Sequence, residues 1–373
     1  MGINELLLVI AALAPAVFLC VYVYKKDQAD KEPPSILALL LFLGVVIAIP
    51  AVILELLFGG IIDGFFAAAT PTDAEGVPLG YGAAALYHFI SCTLGVGLVE
   101  EGLKWTVLLM VTRKTRHFNS LFDGIIYAVF VSLGFAAFEN VLYVLENGWV
   151  NAIMRAVLSV PGHMFFAVLM GCYYSSYHTT RLAHLTEVDC RRRGILPGNL
   201  PEFSETRHLV LSLLVPTLVH GTYNFCLTMG EPIYLICVLA LVVGLYIHCF
   251  GRIKSTSNQD THLLLCALKL LQTKYPGFAL TAETMGMMPT FSPAAPTNIR
   301  FAGIYTGVSG WVHLVAQPKF PLPAGATLVI VQTEDGQHLP ITANVACQVE
   351  KYDVREGQPV SANQLLGVLK YNG

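Results

Sequence analysis

The segment Ala83-Ala-Ala-Leu-Tyr-His-Phe-Ile-Ser-Cys-Thr-Leu-Gly-Val-Gly-Leu-Val-Glu-Glu-Gly-Leu-Lys-Trp-Thr-Val-Leu-Leu-Met110 places two adjacent glutamates, Glu100 and Glu101, deep in an apolar run. Lys104 follows one turn later. A run of about 20 apolar residues crosses a bilayer. A carboxylate at bilayer depth costs at least ~2.5 kcal/mol, so a pair there needs compensation and marks a functional site by default.

The same apolar character governs most of the chain. Of its 373 residues 55% are hydrophobic and 13% are charged, and the mean hydropathy is +0.61. Soluble chains carry about 25% charged residues. A net charge of -3 points away from a nucleic-acid partner. The 9 cysteines form no CxxC pair, which suits small buried hydrophobes better than a disulfide framework or a zinc ribbon.

Seven membrane spans are predicted, at 4–24, 36–58, 84–111, 121–145, 152–177, 208–229 and 232–250. The leading residues Met1-Gly-Ile-Asn-Glu5 carry no positive region, so the first run is not expected to be a cleaved signal peptide. Basic residues set the orientation. Lys25, Lys26 and Lys31 follow the first span, and Arg113, Lys114 and Arg116 follow the third. Arg181, Arg191, Arg192, Arg193 and Arg207 separate the fifth from the sixth, whereas loops 59–83, 146–151 and 230–231 contain neither Lys nor Arg. This asymmetry predicts an outside N-terminus and a cytoplasmic C-terminus.

Beyond the spans, Leu263, Leu264, Leu265, Leu268, Leu270 and Leu271 suit a helix lying at the membrane surface. Pro276 to Pro296 has the composition of a linker. Short alternating segments such as Ala326-Thr-Leu-Val-Ile-Val-Gln332 then indicate a small β domain. Its end, Val354 to Leu369, resembles half of a lipoyl-like barrel-sandwich module, without a lysine at a carrier-type hairpin tip. A binding or scaffold role, with a protein or ligand partner, is therefore expected. The predicted class is an all-α polytopic membrane protein of about seven transmembrane helices with a small C-terminal soluble β domain. Its divisions are a transmembrane domain over 1–255, an amphipathic helix and linker over 256–299, and a cytoplasmic β domain over 300–373.

Four spans carry polar clusters: Glu100, Glu101 and Lys104; Glu139 and Asn140; His163; and His220 with Asn224. Residues four apart share a helix face, so Glu100 can reach Lys104 and His220 projects with Asn224. Counted from the cytoplasmic ends of their spans, Glu100, Glu139, His163 and His220 fall at roughly 18–27 Å of depth. Independent polar substitutions would scatter in depth, and these cluster. Glu55, His88 and Arg155 lie near outer span ends and are read as interfacial or packing residues.

Two chemistries fit acids and imidazoles at one depth. Two His and one or two carboxylates can bind Zn²⁺ and leave a position for water. Alternatively, a glutamate is the general base, and His with Asn stabilises the oxyanion. A proton- or ion-coupled transporter or channel is the main rival, since intramembrane acids and His also carry ions. A non-enzymatic assembly protein, whose polar residues only pack helices, is the second.

At these residues the chain resembles the PrsW-type intramembrane proteases. Glu100-Glu101-x-x-Lys104, Phe135-x-x-x-Glu139-Asn140, His163 and His220-x-x-x-Asn224 match that family's motifs in order and spacing, over roughly residues 84–226. The family is similar to the CAAX prenyl endopeptidase and bacteriocin-immunity group, although Glu139 stands where that group has a histidine. The resemblance implies an integral protein of the bacterial cytoplasmic membrane that hydrolyses a peptide bond of a membrane-anchored protein substrate, like the first cut in an anti-sigma factor. It implies a site of Glu100, Glu101, Lys104, Glu139, Asn140, His163, His220 and Asn224. A divalent metal, Zn²⁺, would be held by Glu101, Glu139, His163 and His220, with a metal-free glutamate mechanism as the alternative.

Overall fold

A computed structural model of the chain describes residues 2–27, 31–115, 117–192, 196, 203–275 and 299–372. Pro276 to Pro296, read as a linker, lies outside the described residues. The helices are α1 (Ile3–Lys26), α2 (Pro34–Ala69), α3 (Tyr81–Ile90), α4 (Leu98–Thr112), α5 (Leu121–Val157), α6 (Ser159–Arg192), α7 (Thr206–Met229), α8 (Pro232–Asn258) and α9 (Leu263–Lys274). Among the described residues 6 helical stretches are long and apolar enough to cross a membrane. One of them, Leu121–Arg192, is a 72-residue run, where the sequence pattern predicts two spans.

The chain turns within that run inside the loop expected at 146–151. Gly148 turns the chain inside α5, at φ 74° and ψ -161°. Helix then resumes as far as Val157, and α6 starts at Ser159. Arg155 lies between these two breaks, in the last turn of α5. Pro161 sits in the first turn of α6, where its missing N–H costs nothing.

The two compact units of the chain are Met1–His178 with Glu205–Leu263, and Thr179–Ser204 with Leu264–Gly373. In the first unit α5 is central. Every residue from Phe122 to Ala136 is buried, as expected for a helix that is apolar all round. Close helix approach is permitted by small residues. A Cβ at Gly134 would lie 2.1 Å from the Leu41 carbonyl oxygen of α2, so only glycine fits there. Phe42, Ile49 and Ile53 of α2 turn outward and are exposed, as a lipid-facing surface would be.

Between α3 and α4, residues Ser91–Gly97 form a π-helix. Such segments widen the helix locally and are frequent at functional sites. This one packs on α7: a Cβ at Gly221 would lie 2.6 Å from Thr93 Cα. The close approach brings the residue before Gly221, His220, toward the start of α4.

In the second unit, Leu264, Leu265, Leu268 and Leu271 of α9 are buried in one core with Leu182, Ala183 and Cys190 of α6. Leu365 and Val368 share that core. The apolar face assigned to a membrane surface is therefore covered by protein. The buried Glu187 carboxylate ties the two helices together, pairing with Arg191 at 2.7 Å and Lys274 at 2.6 Å.

The β region comprises β1 (Ile299–Tyr305), β2 (Gly310–Leu314), β3 (Pro321–Leu322), β4 (Thr327–Gln332), β5 (His338–Thr342), β6 (Cys347–Tyr352), β7 (Pro359–Val360) and β8 (Leu365–Asn372). These form two 4-stranded sheets, ordered β1-β8-β6-β3 and β5-β4-β2-β7. Val312, Val329, Val331, Val349 and Leu366 fill their common core.

On the surface of this region His313 Nδ1 lies 2.9 Å from Glu356. The hydrogen bond to that carboxylate holds the imidazole pKa above its usual 6.5. Glu356, bonded first by the Leu314 N–H and then by His313, is held below its usual 4.5. A raised histidine stabilises the fold fully below the unfolded value, and the contribution is lost as pH rises through the folded value. A lowered carboxylate contributes above its unfolded value and loses that contribution as pH falls through the folded one. Both contributions are therefore complete between 4.5 and 6.5. The His313 ring resonances are expected to titrate above 6.5, and Glu356→Gln should lower that midpoint. An unchanged midpoint would remove the role assigned to Glu356.

Candidate active site

Glu100 and Glu101 occupy the first turn of α4, immediately after the π-helix. Lys104 Nζ donates to Glu100 Oε2 at 3.0 Å and to Glu101 Oε1 at 2.7 Å. It also lies 3.2 Å from His163 Nδ1 and 4.3 Å above the Phe135 ring. All four polar residues are buried. A lysine ammonium only donates, so His163 Nδ1 accepts and its Nε2–H points the other way. There it meets Glu139 Oε2 at 2.9 Å. Ser132 Oγ fixes the same turn from α5 by donating to the His163 carbonyl at 2.9 Å.

The other imidazole approaches from α7. His220 Nδ1 lies 3.1 Å from Glu101 Oε1. A carboxylate accepts, so this nitrogen carries the proton. Phe166 stacks on the His220 ring at 4.6 Å with an interplanar angle of 21°. The depth clustering read from sequence therefore corresponds to contact: Glu100, Glu101, Lys104, Glu139, His163 and His220 form one connected polar group.

Asn140 is held elsewhere. Adjacent helical residues diverge, so the neighbour of Glu139 faces α1, where its Nδ2 donates to the Ala12 carbonyl at 2.7 Å. Its Oδ1 accepts from Arg155 Nε at 2.8 Å. Arg155 in turn reaches Glu139 at 3.2 Å and lies 4.3 Å from the Tyr143 ring centroid. A chain of contacts thus runs from Ala12 through Asn140 and Arg155 to Glu139 and His163. Asn140 acts on the site through Arg155 and not directly.

A cavity of about 750 Å³ opens onto this group. Glu100, Glu139, His163, His220 and Asn224 line it, whereas Glu101 and Lys104 lie behind the wall. Glu55 and Arg155 line it too, although their positions near span ends make them look interfacial in the sequence. The available signal was the one applied to Glu100, an ionisable residue in an apolar stretch.

The ligand-bearing atoms of Glu100, Glu101 and His163 lie within 4.8 Å of one another. Glu139 and His220, both expected as ligands, each contact a member of this trio from outside it. Two observations show that the donors fit a cation. The Lys104 ammonium sits where the three converge, and Glu101 Oε2, fully buried, has no hydrogen-bond partner among the described residues. Carboxylate and imidazole donors suit a divalent transition ion. With an ion on His163, Glu139 would take the place of the carboxylate that orients a metal-ligating histidine. Glu139→Gln is expected to weaken metal retention and cleavage by about 10–100-fold. Equilibrium dialysis at buffered zinc measures the first, and full retention would show that Glu139 does not orient His163.

The profile of the family described as "PrsW family intramembrane metalloprotease" matches residues 32–247. Protease PrsW of Bacillus subtilis (strain 168) is 32% identical over 218 residues, covering 58% of this chain and 81% of that protein. Protease PrsW of Oceanobacillus iheyensis is 29% identical over 251 residues, covering 67% and 96%. That of Geobacillus kaustophilus is 30% identical over 224 residues, covering 60% and 81%. No solved structure matches the chain. A match that spans more than half of the chain and takes in every member of the polar group leaves one assignment: this integral membrane protein belongs to the PrsW family of proteases.

Proposed function

We propose that the protein hydrolyses a peptide bond of a membrane-anchored protein at the boundary of the bilayer, as in site-1 cleavage of an anti-sigma factor. The observation that carries this reading is the convergence of Glu100, Glu101 and His163 within 4.8 Å beside a cavity of about 750 Å³. Of the two glutamates, Glu100 lines that cavity and Glu101 does not. Glu100 is therefore the carboxylate in reach of the attacking water, and in the metal-free scheme it takes that water's proton and returns it to the leaving amine. Asn224, also on the wall, donates through its amide to the tetrahedral oxyanion. Lys104 balances the glutamate charges and fixes their rotamers, while His220 holds Glu101 in place. Glu100, Glu101 and His163 would hold a divalent ion, with zinc favoured by the imidazole and carboxylate donors. Such an ion polarises the scissile carbonyl and acidifies water.

The basic-residue asymmetry supports seven crossings with the N-terminus outside and the β domain in the cytoplasm, where it binds a protein or ligand. The 72-residue run Leu121–Arg192 would extend roughly 108 Å at 1.5 Å per residue. A hydrocarbon core of about 30 Å accommodates it only as more than one crossing.

The test is reconstitution in liposomes with a single-span reporter peptide, combined with elemental analysis. Cleavage together with about one zinc per chain is expected. Full cleavage by metal-free protein would reject the metal and retain Glu100 as a base acting alone. Ion flux without cleavage, abolished in Glu101→Gln, would reject the protease reading in favour of a transporter, a class that none of the matched relatives represents.

A further inference from the structure

The charged side chains on the cavity wall are Glu55, Glu100, Glu139, Glu146 and Arg155. Most are accounted for. Glu100 is paired with Lys104, Glu139 with Arg155 and His163, and Glu146 is exposed. Glu55 is different. It projects from α2, is half-buried, and makes no hydrogen bond or ion pair among the described residues. The charges that reach it are those of two other acids, Glu100 and Glu139, and of one cation, Lys104. A half-buried carboxylate without a hydrogen-bond partner on a cavity wall is open to a ligand that supplies the opposite charge.

The same wall shows how a cation is accommodated. Arg155 places its guanidinium 3.2 Å from the Glu139 carboxylate and 4.3 Å from the Tyr143 ring centroid. Near Glu55 the lining is apolar, with Ala51, Val52 and Phe138. Such a surface suits the aliphatic stem of a lysine or arginine whose head pairs with an acid.

Resting on the protease reading above, we propose that Glu55 selects membrane-anchored substrates with a lysine or arginine close to the scissile bond, by pairing with that side chain inside the cavity.

The experiment uses full-length protein in phosphatidylcholine–phosphatidylglycerol liposomes. Single-span reporter peptides carry Lys, Gln or Glu at one position at a time, from three residues before the scissile bond to three after it. Cleavage rate and peptide binding, read by energy transfer, are measured in parallel. At one position the Lys peptide should be cleaved and bound at least about tenfold better than the Glu peptide, the size expected of a desolvated charge pair. Glu55→Gln should bring that ratio close to one. Glu55→Lys should invert it, an outcome that a misfolded variant cannot mimic. A Lys-to-Glu ratio that is the same in wild type and Glu55→Lys at every position overturns the proposal. Binding that follows residue 55 without cleavage of any peptide would reject the protease reading and leave the recognition by Glu55 standing.

Discussion

Glu101→Gln is expected to reduce peptide-bond cleavage by about a thousandfold or more, with little change in the fold. Glutamine keeps the shape of the side chain but removes its charge and one acceptor oxygen. Glu101 is fully buried, and its Oε1 accepts from both Lys104 and His220. The substitution therefore disturbs three of the residues that surround the convergence point at once. Loss of a single preorganised electrostatic partner in a dry site costs about 10²–10³ in rate, and here a cation-binding donor is lost as well. Single-turnover cleavage of a liposomal reporter peptide measures the effect. Helix content and detergent melting should stay near wild type, because the helix contacts through Gly134 and Gly221 are untouched. A decrease of less than about tenfold would show that Glu101 is a packing residue, since ordinary ion pairs do not control a chemical step.

The second large effect concerns the two histidines, which should differ in kind. His163→Gln is expected to abolish cleavage to a similar degree and to strip the bound metal. His163 meets Lys104 with Nδ1, which lies 3.9 Å from Glu100, and Glu139 with Nε2, and it belongs to the trio that converges. His220→Ala should lower cleavage as well, but leave the metal content near one ion per chain, because His220 touches Glu101 from outside that trio. Elemental analysis of both variants at equal protein concentration decides between the two ligand sets. Equal metal loss in both would restore His220 as a ligand, the arrangement expected from sequence.

How much of this was legible in the chain can be argued residue by residue. Glu100, Glu101 and Lys104 were readable because helical spacing alone places a lysine within reach of carboxylates three and four residues earlier. His163 and His220 were readable because depth along a span is counted directly in residues. Azimuth was not. Asn140 shares the depth of Glu139 and turns to Ala12, which a depth argument cannot detect. Glu55 and Arg155 were passed over because polar residues near span ends are ordinary, and only three-dimensional packing puts them on one wall with Glu100. The leucine stripe of α9, expected to lie at the membrane surface, is covered by protein instead. A periodic apolar face does not encode whether lipid or protein covers it, and α6 and β8 supply that cover.

The π-helix at Ser91–Gly97 has a bearing on how the site is timed along the chain. Its wider winding sets the rotational phase with which α4 emerges. Removing one residue from it would turn everything downstream by about 100°, sweeping Glu100 and Glu101 away from His163 and His220. A deletion that touches no ionisable side chain should therefore silence cleavage as completely as the loss of a glutamate. Adding a compensating residue before Leu98 should bring both acids back to the same hour on the clock face and recover activity.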